Sequence, residues 1–116
     1  MQRFTNLKVW QRSHALVLQI YELSRAFPPD ERFGLTSQLR RAAASVPTNI
    51  AEGAKRQSER DFAHFLNIAE ASLSETEYLL ILARDLAYAS PDHLLPELEE
   101  LAKMLNGLRT RVAERS

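Results

Sequence analysis

At 116 residues, 45% hydrophobic and 26% charged, the chain has the size of one domain (1–116) and the composition of a globular protein rather than a disordered or fibrous one. The absence of cysteine excludes disulfides, thiolate nucleophiles and thiolate metal sites, and 3 Gly with 5 Pro leave little room for the turns of an all-β fold. Formal charge is zero but uneven: residues 1–60 carry ten Lys/Arg against five Asp/Glu and residues 61–116 the reverse. That asymmetry favours self-association or a local basic surface over a globally basic nucleic-acid binder.

The first predicted helix runs from about Asn6 to Ala26 and is stopped by Pro28-Pro29, because proline lacks the backbone N–H and disfavours helix in the residue before it. Its apolar run Ala15–Ile20 is broken by Gln19 and followed by Glu22. No signal-type cleavage pattern follows, and no stretch approaches the roughly 20 apolar residues of a bilayer span. The cytoplasm is the expected compartment. The second helix is expected from Phe33 or Thr36 to Lys55 and contains Pro47; Asn49, Ile50 and Glu52 keep the phase of the preceding turns, which predicts a kink there and not an end. Gly53 marks either close packing or the approaching C-terminus.

Ser58 reads as the N-cap of a third helix, with Asp61 completing a capping-box variant, and the pattern continues to about Ala89. Ser90-Pro91-Asp92 then reads as N-cap, N1 proline and acidic first turn of a fourth helix, which would hold His93 in that turn and extend to about Glu114. Four helices with short connections imply an all-α, antiparallel up-down four-helix bundle.

Helix one carries two apolar stripes: Leu7, Trp10, His14, Val17, Leu18 and Tyr21 on one side, and Val9, Leu16, Ile20, Leu23 and Phe27 on the other. Helix three repeats this, with Phe62, Phe65, Leu66, Ala69, Leu73, Leu80 and Ala83 opposite Ile68, Ala71, Tyr78 and Leu82. Helix four has one stripe of Leu94, Leu98, Leu101, Leu105, Leu108 and Val112. A helix in a small bundle needs one stripe, so the surplus is buried by other copies of the chain or by helices that cross the middle of an irregular monomer. A homo-oligomer is the expectation.

Helix two pairs its apolar row (Leu35, Leu39, Ala42, Val46, Ile50) with a polar ladder of Gln38, Arg41, Ser45, Asn49 and Glu52 on the adjoining arc, at about 100° per residue. With Ser72 and Glu75 of helix three, the ladder would form a hydrogen-bonded network that sets helix register or subunit geometry, since burying such groups unpaired costs a few kcal/mol each. An enzymatic reading would use Glu52 or Glu75 as general base and Arg41 as an electrophilic clamp. Neither a nucleophile nor a positioned histidine accompanies them, so no catalytic residue is assigned.

Arg40, Lys55, Arg56 and Arg60 are the nucleic-acid candidates, gathered around helix two and the following turn, although cations near a helix C-terminus also complement its dipole. Aromatic partners for base stacking are absent from the neighbouring sequence. The three histidines are isolated: Asp61-x-x-His64 is a single half of the paired motif that a di-metal bundle needs, so neither a metal nor another cofactor is expected. His14 is expected to pack within the helix-one face, and Trp10, Phe62 and Phe65 stand at core spacing.

Several of these segments together carry a resemblance. Phe4-x2-Leu7-x-Val9-Trp10-Gln11, the block QLRRAAASVPTNIAEG from Gln38 to Gly53, the run from Phe62 to Glu75 and the leucine-rich last helix resemble the four-helix-bundle proteins of the 23S rRNA intervening-sequence family over nearly the whole chain. The resemblance implies a cytosolic bacterial bundle that assembles as a ring-like homopentamer, similar to the accessory proteins of diversity-generating retroelements, which bind nucleic acid and a reverse transcriptase. It implies no enzymatic activity. The expected function is therefore a self-assembling scaffold or adaptor that binds RNA or DNA electrostatically; the alternative is a module that binds a partner protein and has no nucleic-acid role.

Overall fold

The structure, a computed structural model, describes residues 3–116. A 3-10 turn at Phe4–Asn6 leads into helix α1 (Lys8–Ser24), and the Gln11 side chain ties the two by donating to Thr5 O at 2.9 Å. Extended Pro28 and a second 3-10 turn, Pro29–Glu31, carry the chain to α2 (Leu35–Ala54). The N-cap of α2, Gly34, has no side chain to offer, and Glu31 takes over that role: its Oε1 accepts from Leu35 N at 3.0 Å. Helix α2 continues through buried Pro47. Ser58 caps α3 (Glu59–Asp85) as its sequence position indicates, its Oγ accepting from Asp61 N at 3.0 Å.

The ends of α1 and α2 fall within two residues of expectation, while two other boundaries differ by four, each for a local reason. Helix α3 stops at Asp85, not Ala89, because Ala87 adopts φ 62°, and its N–H bonds Arg84 O while Tyr88 N–H bonds Ala83 O, both at 2.9 Å. That is the Schellman termination, here with alanine where glycine is usual. Helix α4 (Leu95–Glu114) starts four residues after Pro91, so Ser90-Pro91-Asp92 forms a turn before it and His93 belongs to that turn. Pro96 is the cause. A helix begun at Pro91 would need an N–H from Pro96, whereas in the first turn that donor has no partner to lose.

Cross-helix contacts pair low numbers with high ones. Phe4, just before α1, meets Lys55, just after α2, and Ser24 meets Arg40; Gly53 meets Phe62 and Ser45 meets Ser72 across α2 and α3; Glu59 meets Arg115, just after α4, and Glu70 meets Asn106 across α3 and α4. Neighbouring helices therefore run antiparallel in a rod of 45 × 23 × 20 Å, whose length follows from α3, about 40 Å at 1.5 Å per residue.

The core takes Val9, Leu16 and Ile20 from α1, the whole apolar row of α2, Leu66, Leu73 and Leu80 from α3 and Leu98, Leu101, Leu105 and Val112 from α4. Each fully buried Leu or Ile contributes about 1.5–3 kcal/mol. Buried Ser13, Ser24 and Thr76 donate to carbonyls of the preceding turn at 2.9, 3.2 and 2.8 Å, and no buried side-chain N or O lacks a partner among the described residues. The surplus stripes are only partly covered: Leu7 just before α1, Trp10 and Val17 of α1 and Leu82 of α3 pack half-buried against this core. Leu18 is 58% exposed and Tyr21 44% on α1, and Tyr78 is 60% exposed on α3. His14 is exposed rather than packed in the helix face; its ring stacks on Trp10 at 5.1 Å. Within one chain, helices one and three are not covered on both sides.

Candidate functional site

Helices α2 and α3 approach closely where α2 presents small residues to the seam. A Cβ on Gly53 would lie 2.7 Å from Phe65 Cβ, and farther along Ser45 Oγ and Ser72 Oγ share a hydrogen bond of 2.8 Å. Asn49 Nδ2 adds bonds to Ser45 O and Ser45 Oγ at 2.8 and 2.9 Å. These three residues form the centre of the polar ladder, and they tie α2 to α3.

The ends of the ladder behave differently. Gln38, Arg41 and Glu75 are exposed and, with Ser45 and Ser72, line an open groove of about 570 Å³. Arg41 and Glu75 make neither an ion pair nor a side-chain hydrogen bond among the described residues. Glu52 turns toward Arg56 instead, at 3.6 Å. The network inferred from the sequence is thus closed only around Ser45, Asn49 and Ser72 within a single chain. Phe33, 87% exposed, stands at the rim of the same groove. The sequence places Phe33 only near the helix start, since one aromatic next to a glycine carries no periodicity.

The four basic candidates separate into one structural residue and three surface residues. Arg40 is held at the α1–α2 seam, with Nε donating to Ser24 Oγ at 2.8 Å, Nη2 donating to Tyr21 O at 3.2 Å and the guanidinium 4.6 Å above the Tyr21 ring. It lies about 22 Å from Lys55 along α2, so it does not join the others. Lys55 sits over the Phe4 ring at 5.3 Å and Arg56 over the Phe65 ring at 4.7 Å. Arg60 is exposed on the first turn of α3. An open pocket of about 400 Å³ is lined by Phe4, Ala51, Glu52, Lys55 and Arg56, without Arg60. Aromatic rings are therefore present beside the cationic turn, contrary to the sequence reading: the fold returns Phe4 to it from the start of the chain, and the opening of α3 turns nearby Phe65 back toward Arg56; the cations cover one face of each.

Two further polar clusters were not legible in the sequence. Arg12 donates to both Glu97 carboxylate oxygens at 3.0 and 2.8 Å, joining α1 to α4; the Glu97 hydrogen bonds raise the Arg12 pKa further. At the other end of the molecule Tyr88 OH donates to Glu31 Oε2 at 2.8 Å while the Tyr88 ring packs on Phe27. The Leu35 N–H, and then Tyr88, hold the Glu31 carboxyl below its ordinary pKa, and Glu31 in turn raises that of Tyr88. One carboxylate thereby joins the α1–α2 connection, the start of α2 and the α3–α4 connection.

No helix is long and apolar enough to cross a membrane among the described residues, and no group of three or more His, Asp or Glu residues gathers there in a metal-binding arrangement. A family model described as 23S rRNA-intervening sequence protein matches residues 5–107, nearly the whole chain. Comparison with curated proteins finds no match.

Proposed function

Since the chain belongs to the 23S rRNA-intervening sequence protein family, we propose that it is a non-enzymatic, self-associating helical bundle of the cytoplasm that serves as a scaffold or adaptor and binds RNA or DNA through its α2–α3 turn. The observation that carries this reading is the open groove between α2 and α3, where Arg41 and Glu75 stand unpaired and Phe33 is 87% exposed at the rim. An exposed aromatic beside two unpaired opposite charges suits a protein contact better than a solvated surface. Exposed Tyr78 extends the same helix face. A homopentamer is the assembly favoured by the sequence resemblance; each added copy would repeat the Lys55, Arg56 and Arg60 cluster and multiply a modest phosphate affinity.

Size-exclusion chromatography with light scattering tests the assembly. The expected result is a single species of about five chain masses, which shifts to lower mass in Phe33→Ser with Arg41→Glu. A monodisperse monomer at micromolar concentration overturns the scaffold reading. Retention on generic RNA at low salt, lost on neutralising Lys55, Arg56 and Arg60, tests the nucleic-acid role, and no retention at low salt removes it.

A further inference from the structure

Helices α1 and α4 form the loosest seam of the bundle. Among the described residues their polar ties are those of Arg12 alone, to Glu97 and to Met104 Sδ. Beyond this bridge, toward the start of α1, the seam opens into a groove of about 380 Å³. Its apolar floor comes from Leu7, Val9, Met104 and Leu108, and it is open because Gly107 has no side chain: a Cβ there would meet only Arg111 Nη1, at 3.4 Å. The rim is formed by Lys8, Lys103 and Arg111. Lys103 has one distant partner, Glu99 at 4.0 Å, Lys8 and Arg111 pair with no carboxylate among the described residues, and no acidic residue lines the groove.

We propose that this groove is a docking site for an acidic amphipathic helix of a partner protein, with the partner's apolar residues on the Leu7/Val9/Met104/Leu108 floor and its carboxylates against Lys8, Lys103 and Arg111. The chemistry selects that occupant on two grounds. An apolar floor rewards apolar anchors, which a phosphate backbone cannot supply, and no aromatic side chain lines the groove to stack a base. A rim of three cations without carboxylates favours a negatively charged partner and repels a basic one. The site is on the flank of α1 that faces α4, separate from the Arg41 groove, and does not depend on the assembly or nucleic-acid readings.

The test uses the full chain and a labelled amphipathic probe peptide of about fourteen residues, with leucines at helical i, i+3, i+4 and i+7 spacing and glutamates on both flanks, against a twin carrying lysines. Fluorescence anisotropy at low salt is expected to show the glutamate peptide binding about tenfold tighter than its twin. Lys103→Glu with Arg111→Glu, both at exposed positions, is expected to cost about tenfold, and Gly107→Leu, which fills the floor and keeps all three cations, a similar loss with unchanged helical circular dichroism. No binding of the glutamate peptide at millimolar concentration, equal affinity for the two peptides, or full affinity in the Lys103/Arg111 variant overturns the proposal. Oligothymidine binding that disappears in Gly107→Leu gives the groove to nucleic acid, and a changed molar mass of that variant gives it to a second copy; either overturns the proposal as well.

Discussion

Adding one methyl group at two glycines separates close packing from helix propensity with opposite signs. At Gly53 the new Cβ would lie 2.7 Å from Phe65 Cβ, 2.9 Å from Phe62 Cδ1 and 3.3 Å from Phe62 O, whereas ordinary carbon contacts begin near 3.5 Å. Two of those atoms are a Cβ and a backbone oxygen, which move only with their helix, so α2 and α3 must part by about 0.8 Å. Such overpacking costs about 1–3 kcal/mol, and alanine's better helix propensity returns about 1 kcal/mol. Gly53→Ala is therefore expected to lose about 1 kcal/mol net. Gly107→Ala meets only the mobile end of Arg111 at 3.4 Å and should gain close to the full propensity difference, about 1 kcal/mol. With a urea slope of about 1–3 kcal/mol/M, the two unfolding midpoints should differ by about 1 M. Both variants are measured at one protein concentration, since association would add to apparent stability. Equal midpoints, or Gly53→Ala above Gly107→Ala, refute the claim that the α2–α3 approach depends on a missing side chain.

Ala87→Gly removes the left-handed strain at φ 62° and is expected to stabilise by about 1 kcal/mol; a lower melting temperature would show that the α3 terminus has another conformation. Glu31 is held below its ordinary pKa by Leu35 N–H and Tyr88 OH, so its contribution is present at neutral pH and is lost as the pH falls through its folded value. The stability gap between wild type and Glu31→Gln should be larger at pH 7 than at pH 3, and a gap that widens in acid contradicts the bonding described. Arg40→Gln breaks a charged contact at the α1–α2 seam and should cost about 1–2 kcal/mol of stability while leaving RNA retention unchanged. Reduced retention by folded Arg40→Gln would return this residue to the nucleic-acid surface.

Periodicity carries the type and order of the helices because each must hide one apolar side, and the apolar row of α2 is buried as read, from Leu35 at 6% exposure to Ile50 at 0%. Helix ends are less legible. Pro96 sets the start of α4 by its missing N–H, a rule readable from the sequence although the Ser90-Pro91-Asp92 signal competes with it. The end of α3 is different: Ala87 takes a conformation that alanine does not favour, alongside a Tyr88 bound to Glu31 and Phe27. No local signal announces a stop of that kind.

The candidate site divides in the same way. Ser45, Asn49 and Ser72 meet as their helical phases imply, since short side chains on packed helices have few places to bond. The fates of Arg40 and Arg41 are not contained in their spacing, because a long flexible cation takes whichever ring, carbonyl or carboxylate the neighbouring helices bring within reach, whereas the Glu52–Arg56 pair is the i,i+4 contact that spacing allows. By itself, then, the sequence determined four amphipathic helices and the rows they bury, which follow from backbone geometry and the cost of wetting apolar surface. Tertiary packing alone decided which charges pair between helices, which aromatics stay bare and where the seams open, because those outcomes depend on residues brought together from distant parts of the chain.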